Sequence, residues 1–181
     1  MIQYITRKMD FDASHRVMNE RMKCFNGHGH RYTVYLTFSF ETIEDIGYAI
    51  DFKEIKRVGL QWIEDMMDHG SIYNPKDIDF IGPCIKHNTK LWLMSLNGGG
   101  NYCNPSVENI AKEIFLAMKV LFQDYKDLNI YKVQVHETAN CYTECYGVSR
   151  EEEDNWMEYN YEIVKNYARQ KGVMEYDDRK V

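Results

Sequence analysis

A cysteine and three histidines near the N-terminus are the residues of this sequence best suited to chemistry. Cys24 lies four residues before His28, and His28 and His30 are spaced i, i+2, with His15 upstream. Three neutral imidazoles that leave a fourth position open form the ligand set of a catalytic zinc ion. We interpret the histidines as zinc ligands and the thiol as a reacting group. The alternative is three ordinary histidines at a polar sheet edge.

Two strands are predicted to position these histidines. The alternation of apolar residues after His30 predicts a strand over 31–40, and a start near His28 would place both histidines on one face. Residues 2–8 predict an earlier strand. If that strand continues, Phe11, Ala13 and His15 share a face.

A second pair of reactive residues follows a predicted helix. A short strand over 48–52 leads into a helix from about Lys53 to Asp68, which Gly70 ends. Asp68 and His69 then lie at the helix C-terminus, where the dipole favours a protonated imidazole. A carboxylate that orients an imidazole is common in acid–base catalysis. The alternative is a polar helix end without catalytic function.

For the second half of the chain, the sequence predicts two strands, two helices and an irregular segment. Residues 74–104 are irregular apart from a strand over 90–96. Asn104 is predicted to cap a helix with Pro105 at its first position and an apolar stripe over 107–122. Residues 131–137 alternate as the last clear strand. Glu137 lies on its apolar side and should therefore have a partner.

A C-terminal helix is predicted after Gly147. Ser149 and Glu152 form a possible capping box, and Trp156, Ile163 and Tyr167 would face inward. The order of elements indicates an α+β fold, an antiparallel sheet with two helices on one face. The open edges of such a sheet make an oligomer plausible.

Composition limits the function classes. The 181 residues suffice for one domain, and the net charge of −6 argues against nucleic-acid binding. No apolar run reaches the roughly 20 residues of a membrane helix. The N-terminus has no signal-peptide pattern, so the five cysteines predict reduced thiols and a cytoplasmic protein. We expect Cys141 and Cys145 to be thiols in a loop rather than a metal pair.

Several motifs, taken in order, resemble one family. They are Phe11-Asp12-Ala13-Ser14-His15-Arg16, the segment from Cys24 to His30, Ile50 to Lys56, Met67-Asp68-His69, Asn104 to Asn109, and Val135-His136-Glu137-Thr138. Together they resemble the 6-pyruvoyltetrahydropterin synthase superfamily. The three residues between Cys24 and His28 are similar to its 6-carboxytetrahydropterin synthase branch. The pyruvoyl-forming branch usually has a wider gap, and a folate-linked branch usually has Glu near the first histidine.

The resemblance implies a fold and an assembly. The family has the tunnelling fold (T-fold), in which antiparallel four-stranded sheets with two helices on one face form an oligomeric barrel. It implies a homohexamer with active sites shared between subunits. The matching domain would span 1–147, and 148–181 would form a helical extension outside the barrel.

The resemblance also implies residue roles. His15, His28 and His30 would bind Zn²⁺, and Cys24 would abstract a proton, with Lys23 and the zinc as cations that lower its pKa. A buried, inert Cys24 is the alternative. Asp68 and His69 would form the rest of a proton relay. Glu137 would bind the amino-pyrimidine edge of the pterin. Glu108 would make a secondary contact, or would be an ordinary solvated acid. Arg16, Lys23 and Arg31 could hold a triphosphate or be ordinary surface charges.

The implied function is that of a zinc lyase on a small-molecule pterin triphosphate, with no nucleic-acid or membrane partner. It would convert 7,8-dihydroneopterin triphosphate to 6-carboxy-5,6,7,8-tetrahydropterin, acetaldehyde and triphosphate, in 7-deazaguanine (preQ0 and queuosine) biosynthesis. The alternatives are a 6-pyruvoyltetrahydropterin synthase and a non-catalytic, zinc-dependent pterin-binding protein. A structural zinc domain is a third alternative, which chelation would unfold.

Overall fold

One mixed six-stranded sheet organises the fold, in the strand order β4-β3-β1-β2-β5-β6. The computed structural model describes residues 1–172. The strands are β1 Gln3–His15, β2 His28–Phe40, β3 Gly70–Tyr73, β4 Leu91–Leu93, β5 Asn129–Thr138 and β6 Cys141–Cys145. The helices are α1 Phe52–Ile55, α2 Gln61–Met66, α3 Ile78–His87, α4 Val107–Leu121 and α5 Arg150–Gln170.

The long antiparallel pair β1 and β2 confirms both predicted N-terminal strands. Their register runs from Gln3 opposite Phe40 to His15 opposite His28, with Ala13 opposite His30. Because β2 begins at His28, the two histidines of the i, i+2 pair share a face. The same face carries the buried apolar residues of the core, so the histidines lie at one end of the core layer.

Helix α4 covers that core face and confirms the predicted apolar stripe. Its N-cap, however, is Ser106, whose side chain accepts a hydrogen bond from the Asn109 amide. The prediction of Asn104 as the cap was wrong. The Asn104 side chain instead pairs with Met18, accepting from its amide over 3.0 Å and donating to its carbonyl over 3.0 Å.

The first predicted helix is present but interrupted. A π-helical stretch, Lys56–Leu60, joins α1 to α2. It contains Gly59, where a Cβ atom would lie 2.9 Å from Met118 Sδ. The glycine therefore permits close helix packing, which offsets its poor helix propensity. The predicted strand over 48–52 is wrong, because Asp51 caps α1 by accepting from the Lys53 amide.

The segment 74–104 is more ordered than predicted. It contains α3, and the predicted strand over 90–96 is reduced to β4. Strand β3 pairs in parallel with β1, and β4 pairs in parallel with β3. The sheet therefore has six strands rather than four and is mixed rather than antiparallel, within the predicted α+β class. Because Gly82 and Pro83 lie inside α3, the residue pattern did not predict this helix.

The C-terminal part adds β6 and α5. Cys141 and Cys145 lie at the two ends of the edge strand β6, not in a loop. Helix α5 confirms the capping box of Ser149 and Glu152. Trp156 and Tyr167 face inward as predicted, but Ile163 is 48% exposed, and Val164 is buried instead. Residues 173–181 of the predicted extension lie outside the described residues.

The buried carboxylate of Glu113 connects α5 to the rest of the molecule by hydrogen bonds. Glu113 of α4 accepts hydrogen bonds from the indole nitrogens of Trp92 and Trp156, each over 3.0 Å, and from the Ser95 amide. Burial raises the pKa of Glu113, although these donors oppose that effect. Helix α5 thereby shares one core with the sheet. Over residues 1–172, no helix has the length and apolarity needed to cross a membrane.

Candidate metal and substrate site

Three imidazoles converge at the end of the β1–β2 pair. The ligand nitrogens of His15, His28 and His30 lie within 4.8 Å of one another. His15 is 1% exposed, and the other two are half-buried. The close approach follows from the strand register, which sets His15 opposite His28 and two residue pairs away from the pair that contains His30. The structure thus brings the three predicted ligands together.

Backbone carbonyls orient two of the rings. His15 Nδ1 lies 2.8 Å from the Pro105 carbonyl oxygen, and His28 Nδ1 lies 2.7 Å from that of Asn26. Because a carbonyl oxygen only accepts, each Nδ1 carries the proton and each Nε2 presents a lone pair. The two Nε2 atoms are 3.2 Å apart. This second shell is the arrangement that holds metal-binding histidines in one tautomer.

The surroundings of His15 and His30 favour the neutral imidazole. Burial lowers the pKa of His15 and outweighs the hydrogen bond to Pro105 and the charge of Glu137, which act to raise it. Burial likewise lowers the pKa of His30. A metal ligand must be deprotonated, so lowered pKa values fit a site for a divalent cation.

The Glu137 carboxylate lies beside the three histidines. Its Oε1 lies 3.4 Å from His15 Nε2 and 3.8 Å from His30 Nε2. The partner expected for this carboxylate is therefore the histidine cluster. The three imidazole nitrogens beside it are donors that fit a borderline metal such as zinc.

Tyr32 is a polar neighbour that sequence analysis missed. Its ring lies edge-on to His15 and His30, with centroids 5.9 and 5.7 Å apart. Its hydroxyl oxygen is buried and has no hydrogen-bond partner within residues 1–172. An unpartnered buried hydroxyl beside the cluster fits a site that receives a polar group. Its place on the face shared with His30 was the signal available in the sequence.

Cys24 lies in the connection between β1 and β2, residues 16–27, which we call the Cys24 loop. A turn of 3-10 helix, Lys23–Phe25, holds the half-buried thiol. Burial raises the pKa of Cys24, and the negative charges of Glu137 and Glu20 add to that effect. In the protein alone, the pKa of Cys24 is therefore raised, whereas the charge of Lys23 was expected to lower it. Burial and the two carboxylates have the larger effect.

Asp68 and His69 directly precede β3. Asp68 accepts from the Asp12 amide over 2.8 Å and lies 3.0 Å from His69 Nδ1. Burial acts to raise the pKa of Asp68, but these partners outweigh it and lower the pKa. The His69 side chain is 78% exposed, and its backbone is left-handed, with φ of 55°.

An open depression of about 420 Å³ adjoins this pair, and its lining includes Asp12, Ser14, His30, Arg31 and His69. By strand alternation, Asp12, Ser14 and Arg31 point to the face opposite the histidine cluster. In the part of the chain that the structure describes, no hydrogen bond or ion pair joins Asp68 or His69 to Cys24. Within residues 1–172, the two halves of the predicted relay are therefore not bonded to each other.

The other residues predicted to contact the substrate are Glu108, Arg16, Lys23 and Arg31. Glu108 is exposed in the first turn of α4, and within residues 1–172 no ion pair joins it to the cluster. Arg16 is engaged by Asp77 through two hydrogen bonds, so its guanidinium is not free for a triphosphate. Lys23 and Arg31 are exposed.

Comparison with known proteins identifies the family. The sequence model described as 6-pyruvoyl tetrahydropterin synthase matches residues 4–148. The chain belongs to this family. Among curated members, a "6-carboxy-5,6,7,8-tetrahydropterin synthase" of Rickettsia typhi is 34% identical over 143 residues, which cover 77% of this chain and 96% of that protein.

Solved structures of the 6-pyruvoyl tetrahydropterin synthase fold also match. An uncharacterized protein from Wolinella succinogenes has a TM-score of 0.67 at 16% identity, covering 82% of this chain and 99% of that chain. The 6-pyruvoyl tetrahydropterin synthase of Caenorhabditis elegans has a TM-score of 0.58 at 22% identity, covering 82% and 97%. These likenesses establish the T-fold.

Proposed function

We propose that the protein is a zinc-dependent 6-carboxy-5,6,7,8-tetrahydropterin synthase. It converts 7,8-dihydroneopterin triphosphate to 6-carboxytetrahydropterin, acetaldehyde and triphosphate, in 7-deazaguanine biosynthesis in the cytoplasm. The observation that carries this proposal is the cluster of His15, His28 and His30, whose ligand nitrogens lie within 4.8 Å of one another, with Glu137 Oε1 3.4 Å from His15 Nε2. The names of the Rickettsia relatives support the carboxy-forming branch.

Different residues of the chain orient the metal ligands and bind the pterin in this reaction. When bound, zinc polarises the hydroxylated side chain of the pterin. The carbonyls of Pro105 and Asn26 keep the imidazoles of His15 and His28 in the tautomer that presents Nε2. Glu137 accepts the paired N–H groups of the amino-pyrimidine edge with its two oxygens.

Cys24 acts as the base of this reaction. Its thiolate removes a proton from the carbon beside a side-chain hydroxyl and becomes a thiol. The raised pKa of Cys24 in the protein alone means that the thiolate needs a nearby cation, and a divalent ion on the three histidines supplies one.

Asp68 and His69 act, in this proposal, on the site of a neighbouring subunit. The exposed His69 ring, which within residues 1–172 has no hydrogen bond or ion pair to Cys24, supports a shared site. Asp68 orients the imidazole through the 3.0 Å contact, so that His69 exchanges protons with substrate bound by the neighbour. The assembly proposed is a homohexamer, with the domain 1–147 forming the barrel and the extension 148–181 outside it.

One incubation tests the proposal. Zinc-loaded protein is mixed with 7,8-dihydroneopterin triphosphate, and the pterin product is identified by mass. Formation of 6-carboxytetrahydropterin with acetaldehyde is the expected result. A 6-pyruvoyl product would assign the protein to the other branch of the family. Pterin binding without turnover would indicate a non-catalytic binding protein.

A further inference from the structure

Arg16, the residue after the buried ligand His15, makes a closely fitted ion pair. Its Nε and Nη2 donate to the two carboxylate oxygens of Asp77 over 2.6 and 3.0 Å. The Arg16 side chain is 12% exposed and that of Asp77 is 1% exposed. A two-point pair with so little solvent fixes the plane of the guanidinium as well as its position.

The same guanidinium contacts two aromatic rings from different parts of the chain. Its central carbon lies 4.2 Å from the ring centroid of Phe80 in α3 and 4.7 Å from that of Phe25. Phe25 is the neighbour of Cys24 in sequence. Arg16 therefore joins α3 to the Cys24 loop by cation–π contacts on planar groups.

The Phe80 ring also lies directly on the backbone of the Cys24 loop. A Cβ atom at Gly27 would lie 2.5 Å from Phe80 Cε1. Gly27 stands between Cys24 and His28, so the ring packs where the thiol-bearing turn joins the metal-binding strand. A glycine is required there because any side chain would displace Phe80.

A second contact holds the other side of this loop. The Val17 amide donates to the Cys24 carbonyl over 2.8 Å, which closes the loop on itself. Asn104 pairs with both backbone groups of Met18, and it accepts from the Asn74 side chain over 2.9 Å. The segment 74–104 thus holds the loop at Arg16, Met18 and Gly27.

We propose that Asp77 and Phe80 are positioning residues that act through Arg16 to fix the Cys24 loop relative to the histidine cluster. Neither touches the reacting atoms. They determine how far the thiol sits from a substrate bound at His15, His28 and His30. This role rests on the function proposed above, because it assumes that Cys24 takes the proton. Small displacements of a catalytic group lower the rate of reaction steeply.

The test uses zinc-loaded, full-length Phe80→Ala protein and two readouts. The first is the rate at which iodoacetamide alkylates Cys24, followed by peptide mass, with the exposed Cys141 as internal reference. The second is kcat and KM with 7,8-dihydroneopterin triphosphate. Ile85→Ala is the matched control, because Ile85 lies on the same helix and is 68% exposed.

The expected result for Phe80→Ala is alkylation of Cys24 about three- to tenfold faster, with Cys141 unchanged. kcat should fall about tenfold or more while KM and zinc content stay near wild type. Phe80→Tyr, which keeps the ring, should restore both readouts. Asp77→Asn should change them in the same direction as Phe80→Ala, because it weakens the hold on Arg16.

Wild-type values of kcat and of Cys24 alkylation in a folded, zinc-loaded Phe80→Ala protein would overturn the positioning role. An equal effect in Ile85→Ala would also overturn it, since general loosening of α3 would then be the cause. If Phe80→Ala does not fold, Phe80→Leu is read by the same criteria. Absence of turnover in the wild type would contradict the proposed function alone, because alkylation still tests the loop.

Discussion

The ring of His15 is held by the carbonyl oxygen of Pro105, 2.8 Å from Nδ1 and 90 residues away in sequence. Pro105 directly precedes the N-cap of α4. The start of the main core helix therefore sets the orientation of the most buried imidazole. Metal binding at this site is consequently coupled to the docking of α4 on the sheet.

Removal of the His15 imidazole should abolish metal binding. In His15→Ala, two of three ligand nitrogens remain, and zinc affinity should fall at least about 100-fold. Zinc content after dialysis, measured by atomic emission, checks this. His87→Ala is the control, because His87 is exposed at the end of α3. Equal zinc loss in both variants would contradict the assignment.

Replacement of Cys24 should separate chemistry from binding. Cys24→Ala should retain zinc and lose turnover by about 10²- to 10⁴-fold, because general base catalysis contributes on that scale. Turnover and zinc content are measured on the same sample. Cys141→Ala, at the exposed end of β6, should behave as wild type. Full activity in Cys24→Ala would remove the thiol from the mechanism.

Substitution of the buried Glu113 should destabilise the fold. Glu113→Gln turns an amide NH₂ toward groups that already donate, the indoles of Trp92 and Trp156 or the Ser95 amide. The free energy of unfolding should fall by about 2–3 kcal/mol, measured by urea denaturation. Glu151→Gln, on the exposed surface of the first turn of α5, should change it little.

The same carboxyl should give stability a distinct pH dependence. The pKa of Glu113 is raised in the folded state, so above about pH 4.3 the unfolded chain binds fewer protons than the folded one. Its contribution is complete below that pH and is lost as pH rises through the folded-state pKa. The stability difference between wild type and Glu113→Gln should therefore shrink with rising pH in urea titrations. A difference that grows with pH would contradict the raised pKa.

The two tyrosine hydroxyls at Tyr32 and Tyr167 should respond in opposite ways to removal. Tyr32 has no hydrogen-bond partner within the described chain, so Tyr32→Phe should leave the free energy of unfolding unchanged or raise it. The Tyr167 hydroxyl donates to Asp65 over 2.9 Å, and Tyr167→Phe should lower it by about 1 kcal/mol. Both are measured by urea denaturation of the metal-free protein. A clear loss in Tyr32→Phe would show that its hydroxyl is satisfied.

The strands and the histidine cluster could be predicted because period-two alternation is a local signal. The parity of β1 and β2 alone places His15, His28 and His30 on one face. The parallel strand β3 could not be found this way, since four residues carry no measurable period, and the strand predicted over 90–96 proved to be only the three residues of β4. The carbonyls of Pro105 and Asn26 are backbone groups and have no signature in the sequence.

Other features depend on contacts between distant residues. The sequence motif Asn104-Pro105 is typical of a helix start, but the Asn104 side chain is used by Met18 instead. From the sequence, Arg16 could hold the triphosphate, but in the structure it pairs with Asp77, 61 residues away. The position of Asp68 beside Asp12 likewise follows from the parallel attachment of β3 to β1, which local patterns do not reveal.

The three imidazoles all belong to one hairpin. His15 and His28 are opposite each other in the β1–β2 pair, and the loop that joins them has only 12 residues, 16–27. Closing so short a loop costs little chain entropy, so this pairing has low contact order and forms early in folding. The nascent chain therefore displays a complete set of nitrogen donors before α4 has been synthesised. Under the zinc-dependent function proposed above, metal capture would then compete with the collapse of the core, and zinc supply during translation would affect folding yield.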